Sequence, residues 1–169
     1  HVGTEDGEAL WCGLDQRMRE LAMTPLLLWL IKEAYLEAKR TAQGGPVHIP
    51  DNRGALYQSF VNRMLRRDDE RKLNQRIPEQ VRLVALERLA LALHRDQRLT
   101  MDRGDVLKIV GSGEVISALL VNGLLIGDRQ IRFAPHQTMQ EHFAARALED
   151  SVMRRVAAKG IAGWVYALG

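Results

Sequence analysis

The sequence predicts a mainly α protein, a small helical bundle followed by a winged-helix domain with a short β-hairpin. Three observations carry this. Leu, Ala, Arg and Glu are abundant while aromatic residues make up only 5% of the chain, which is a helical composition. Apolar residues recur at three- and four-residue spacing in every long segment. Late in the chain, helical segments give way to two short extended pieces around Gly127-Asp128, the order of helices and hairpin in a winged helix.

Taken in order, residues 5–20 read as a helix with Leu10, Leu14, Met18 and Leu21 on one side. Thr24-Pro25 opens a second helix, because Thr suits the cap and Pro suits a first position that needs no N–H. Its inward stripe is Leu27, Leu28, Ile31 and Tyr35. The Gly-Gly-Pro of TAQGGPVHIP stops it. Asp51 or Asn52 caps a third helix with Leu56, Phe60 and Met64 four apart. The charge run LRRDDERK then reads as a solvated helix end.

Pro78 begins the next helix at its first position, with Glu79 at the positive end, and VRLVALERLALAL is apolar around most of its circumference. A short helix follows in LTMDRGDVLKIV with Thr100 as cap. Ser112 caps GEVISALLV, which Asn122-Gly123 ends. Residues 124–126 and 131–133 are the hairpin strands. Thr138 and Glu141 stand three apart, the spacing of a capping box, and open a last helix that buries Phe143, Leu148 and Val152 and breaks at Gly160. The expected domains are therefore 1–75, helical; 76–148, winged helix; and 149–169, the start of a further helical region. The non-Met start and the apolar tail IAGWVYALG read as a piece of a longer protein.

Composition bounds the function. With 46% hydrophobic and 27% charged residues over 169 positions the chain is globular, and its longest apolar run, LLLWLI, is far short of the ~18 residues a membrane span needs. No signal peptide is visible in HVGTEDGEAL. Cys12, the single cysteine, reads as a small buried filler, and the lack of disulfides fits a reducing, cytoplasmic setting. A net charge of +3 does not point to nucleic acid, and the helix that would enter a DNA groove, 113–121, carries only Glu114 and no base-reading side chain. Arg129 and Arg132 on the wing read as solubilising edge charges. His136, Glu141 and His142 match no metal motif, His48 and His94 read as solvent-exposed, and no Ser or Cys sits in a nucleophile turn, so neither a catalytic nor a metal site is assigned.

His136 is the residue that asks for a role. It lies two positions before the expected cap of the last helix, where free N–H groups and the helix dipole favour anions, and its ring can donate to a phosphate oxygen. The stretches TPLLLWLIKEAY, IPDNRGALYQSFV and GLLIGDRQIRFAPHQTMQEHFAA, in that order, resemble the helical and winged-helix domains of NACHT-type NTPases of the STAND signalling class. The resemblance runs from about Gln16 to Leu148 and departs from the family's pattern at Met139 and His142. It implies that Pro25 packs near a nucleotide base and that His136 contacts the β-phosphate of ADP. It further implies a regulatory part that closes over ADP and holds the parent inactive until ATP replaces it, with an upstream nucleotide-binding domain of the same polypeptide as partner and self-assembly of the parent as output. The chain has no G-x-x-x-x-G-K-[ST], so it is not itself an enzyme, and the ADP or ATP would be bound by the parent. A helical scaffold or protein-interaction module without nucleotide contact is the competing expectation.

Overall fold

The computed structural model describes residues 4–42, 45, 47–70 and 77–167, with side chains described except at 4–6, 67–70 and 155–167. These residues form eight helices and three short strands, arranged as two compact units, residues 1–66 and 67–169.

The first unit holds α1 (Thr4–Gly13), α2 (Gln16–Ala22), α3 (Pro25–Ala42) and most of α4 (Arg53–Glu70). The single helix expected over 5–20 is two. Asp15 accepts from the Met18 N–H at 2.7 Å, so its carboxylate starts a new helix just after Gly13. Leu10, Leu14, Met18, Ile31, Tyr35 and Leu56 form the core. Cys12 is exposed, not a buried filler, because Leu10 and Leu14 turn inward one helical turn apart and leave Cys12 on the far side. In α3 the Thr24 carbonyl accepts the Leu28 N–H at 2.9 Å, placing Pro25 at the first helical position as expected. The buried stripe is Leu27, Leu30, Ile31, Ala34 and Tyr35; Leu28 is exposed, since the stripe turns through Leu27 and Ile31 and places Leu28 about 100° away. Asn52 caps α4 by accepting from the Ala55 N–H at 2.9 Å. An ion pair joins Arg63 on α4 to Glu33 on α3, beside a Trp29–Phe60 edge contact with centroids 5.3 Å apart.

The second unit has the order α5 (Glu79–Arg95), β1 (Met101–Asp102), α6 (Arg103–Val110), α7 (Gly113–Val121), β2 (Leu125–Ile126), β3 (Gln130–Phe133) and α8 (Gln137–Ala167). This is a winged-helix arrangement. The sheet order is β1-β3-β2, all antiparallel, with Met101 opposite Ile131 and Leu125 opposite Phe133. Strand β1 escapes a sequence reading because two residues show no period. Asp102, not Thr100, caps α6, accepting from the Gly104 N–H at 2.9 Å, since Met101 is drawn into the core by the strand pairing. Pro78 is the cap residue of α5 rather than its first helical residue: its carbonyl accepts from the N–H groups of Val81 and Arg82. Ser112 caps α7 as expected, and Gly123 takes the left-handed conformation after Asn122. Gly127 has φ +111°, and a Cβ there would lie 2.0 Å from the Gln130 carbonyl oxygen, so the hairpin admits only glycine at that point.

Helix α5 lies along α8, and Leu86, Leu89, Leu93, Phe133, Met139 and Phe143 are buried in this unit. A fully buried Phe143 contributes about 2–3 kcal/mol of transfer free energy. Leu148 and Val152, expected inside, are exposed along with Met153: the inward stripe of α8 runs through Gln140, Phe143 and Ala144 to the half-buried Ala147 and Ser151, one position off Leu148 and Val152. Gly160 does not end α8, because an interior glycine costs only about 1 kcal/mol and does not block the helical ladder. Residues 149–167 are thus continuous with the winged-helix unit's last helix rather than a separate start. The expected division at 75/76 lies outside the described residues; the two units divide at Arg66/Arg67.

Candidate functional site

Pro25 belongs to the first unit and His136 to the second, and each site is built within its own unit. Pro25 is exposed and lines a groove of about 460 Å³ together with Trp11 and Leu14 from the α1 side and Leu28, Trp29 and Lys32 from α3. The helix break at Gly13–Asp15 lets α1 approach the start of α3, and the i, i+3, i+4, i+7 spacing of Pro25, Leu28, Trp29 and Lys32 aligns four side chains on one face. The lining is apolar except for Lys32, whose ammonium sits 2.8 Å from Glu33. Trp11, half exposed, has the Arg19 guanidinium 5.7 Å from its ring centroid.

His136 stands where the Phe133 strand turns into α8, after a cis Ala134–Pro135 bond. The capping box expected from Thr138 and Glu141 is not formed. His136 takes the cap role instead. Its Nδ1 accepts from the Thr138 N–H at 3.3 Å and its carbonyl accepts from the Met139 N–H at 3.0 Å, satisfying two of the helix's free donors. Burial of Met139 and Phe143 fixes the helix register, which puts Thr138 inside the first turn with its hydroxyl buried and no hydrogen-bond partner among the described residues. An imidazole nitrogen that accepts carries no proton, so neutral His136 is the Nε2–H tautomer. His136 is exposed, and the first turn of α8 holds no acidic residue. The site is therefore an N–H donor at the positive end of a long helix, with no carboxylate of that turn to compete for it.

The histidines and acids beside it do not converge. Glu141 is exposed, whereas His142 is largely buried, edge-on to Phe143 with centroids 5.4 Å apart. Burial first, and the Arg146 cation second, push its pKa down to about 4. Arg146 reaches across to Glu87 on α5 at 3.1 Å, and burial holds the Glu87 carboxyl above its ordinary range despite that pair. Among the described residues no group of three His, Cys, Asp or Glu side chains could hold a metal ion. The exposed positions of α7 are Gly113, Glu114, Ser117 and Val121, a face with one acidic charge and no cation.

Two features were missed in the sequence. Gln140 is buried, and its amide Nε2 donates to the Arg98 carbonyl at 3.0 Å. The signal was a polar residue three and four positions before Phe143 and Ala144, on the inward face. The Trp11–Trp29 groove had no such signal, because nothing in the sequence said that α1 would fold back on α3.

No helix among the described residues is long and apolar enough to cross a membrane. No protein-family model, curated protein or solved structure matches the chain.

Proposed function

We propose that the chain is the helical and winged-helix part of a nucleotide-switched signalling NTPase, which closes over ADP and holds its parent inactive. The observation that carries the reading is His136: exposed, held by the Thr138 N–H as an Nε2–H donor, at a helix N-terminus without acidic residues. Such a donor suits a phosphate oxygen. A hydrogen bond to a charged group is worth about 1.5–3 kcal/mol, a factor of roughly 10–150 in affinity. If that bond forms with ADP in the closed arrangement and not with ATP, it supplies the differential affinity a two-state switch needs. Pro25, exposed in an apolar groove with two indoles, supports the part assigned to it near the base. The nucleotide, ADP or ATP, would be held by an upstream nucleotide-binding domain of the same polypeptide, and release would expose a surface for self-assembly in the cytoplasm.

The test is the nucleotide retained by the purified parent polypeptide, wild type against His136→Ala. Loss of ADP with self-association of the variant supports the latch. Equal ADP and an unchanged monomer would refute it and favour a second reading, a helical protein-interaction module. The exposed Trp11, Met23 and Leu28 of the first unit, and Leu148, Val152 and Met153 of α8, are the observation on that side.

A further inference from the structure

We infer that Gln140 is the positioning residue of the His136 site, tying the start of α8 to the turn that closes α5. The chain of contacts is continuous. After α5 the chain turns through Gln97, whose φ is +54°, and the Arg98 N–H returns to the Leu93 carbonyl at 2.9 Å while the Gln97 N–H meets the His94 carbonyl at 3.1 Å. These two bonds are the paired closure of a Schellman turn, which anchors the backbone as far as the Arg98 N–H. The Arg98 carbonyl, in the next peptide unit, accepts the Gln140 amide at 3.0 Å, across 42 residues of sequence. Gln140 is only 5% exposed, with fully buried Met139 beside it and fully buried Phe143 three residues on.

A buried amide whose partner is lost leaves two polar groups unsatisfied, so this bond resists being traded for water. The first turn of α8 is consequently located by one directional contact as well as by packing. Packing alone leaves a helix free to slide and roll by small amounts, and the ring of His136 senses such motion because its Nδ1 accepts from the Thr138 N–H ahead of it, two residues before Gln140, at the long distance of 3.3 Å. A movement of the α5 turn is thereby passed to the histidine ring. The functional meaning of this tie rests on the reading of His136 as a phosphate contact; the tie itself does not.

The experiment is made on the whole chain without nucleotide, so its failure is separable from failure of the switch reading, which only nucleotide retention by the parent decides. Imidazole nitrogen shifts report the His136 tautomer, and amide exchange reports the Thr138 N–H. Wild type should show a single Nε2–H tautomer and a protected Thr138 amide. Gln140→Met, which keeps the length and apolar volume but removes the donor, should raise Thr138 exchange at least tenfold and move His136 towards a mixture of tautomers. Glu141→Gln, at an exposed position, should change neither. A folded Gln140→Met with the wild-type tautomer and Thr138 exchange within twofold would overturn the inference. Should Gln140→Met not fold, Gln97→Val decides: a β-branched residue disfavours the left-handed turn and leaves every residue of α8 in place. It should shift the His136 ring in the same direction, and an unshifted ring overturns the tie.

Discussion

Acid should loosen α8 from α5, and His142 should be the group through which it does so. Its folded pKa of about 4 lies below the ordinary 6.5, so unfolding takes up a proton wherever the pH lies between them. The sign follows: the stability associated with a neutral His142 is fully present above pH 6.5 and is lost as pH falls. At pH 5 the unfolded ring is almost entirely protonated and the folded ring almost entirely neutral, which amounts to about 2 kcal/mol by linkage. Because the ring keeps some contact with solvent, screening reduces this to about 1–1.5 kcal/mol. Glu87 acts in the opposite direction: its raised pKa adds stability as pH falls through that raised value towards the ordinary carboxylate range, and because it does so in the wild type and in a His142 variant alike, the difference between the two isolates His142. Amide exchange at Leu89, Leu93 and Phe143, corrected for the intrinsic pH dependence, isolates this unit. Between pH 7.5 and 5 protection there should fall roughly five- to fifteen-fold further in the wild type than in a variant without the His142 imidazole. His142→Phe keeps an aromatic ring against Phe143 and cannot titrate, so its fall should be at most twofold. If the Phe variant loses protection as steeply as the wild type, the proton enters elsewhere and the assignment is wrong.

Three further outcomes are expected. Arg63→Met leaves the half-buried Glu33 carboxylate with Lys32 alone, and should lower the stability of the first unit by about 2 kcal/mol, read from Trp fluorescence in urea; Glu33→Gln with Arg63→Met should regain part of the loss, and additive losses would contradict a coupled pair. Gln97→Gly relieves a non-glycine residue of a left-handed conformation and should stabilise the second unit by roughly 0.5–1 kcal/mol at most, seen as a higher melting temperature, because the glycine also gains freedom when unfolded. Gly127→Ala faces both a φ of +111° and a carbonyl oxygen 2.0 Å from the new carbon, and should cost about 2–4 kcal/mol; a wild-type melting curve would mean that the hairpin turns another way.

The architecture was legible because it rests on periods and caps. Ser112, Asn52 and Pro25 fell where helix chemistry places them, and Gly127-Asp128 marked the hairpin. The misreadings share one physical cause: tertiary burial chose between local alternatives of similar energy. Burial of Met139 moved the α8 cap from Thr138 to His136, and pairing with Ile131 drew Met101 into a strand and handed the α6 cap to Asp102. Leu148 and Val152 have the right residue type and spacing for a core, yet the inward stripe set by Phe143 and Ala144 passes through the small residues Ala147 and Ser151, which a reading by hydrophobicity passes over. Of the two candidate residues, Pro25 could be located from its neighbours alone, whereas the ring geometry that makes His136 a donor depends on a hydrogen bond invisible in the sequence.

Helix α8 has a mechanical consequence of its own. Its 31 residues make a rod about 46 Å long. Among the described side chains, Met139, Gln140 and Phe143 seat the start of that rod and Arg146 ties the next turn to Glu87, whereas Leu148, Val152 and Met153 beyond them are exposed. A rod seated near its start acts as a lever on what lies beyond. A tilt of roughly 10° at the seat carries the far end through about 8 Å, more than the pitch of one helical turn. A sub-ångström adjustment beside His136 is thereby scaled into a displacement that neighbouring protein could register.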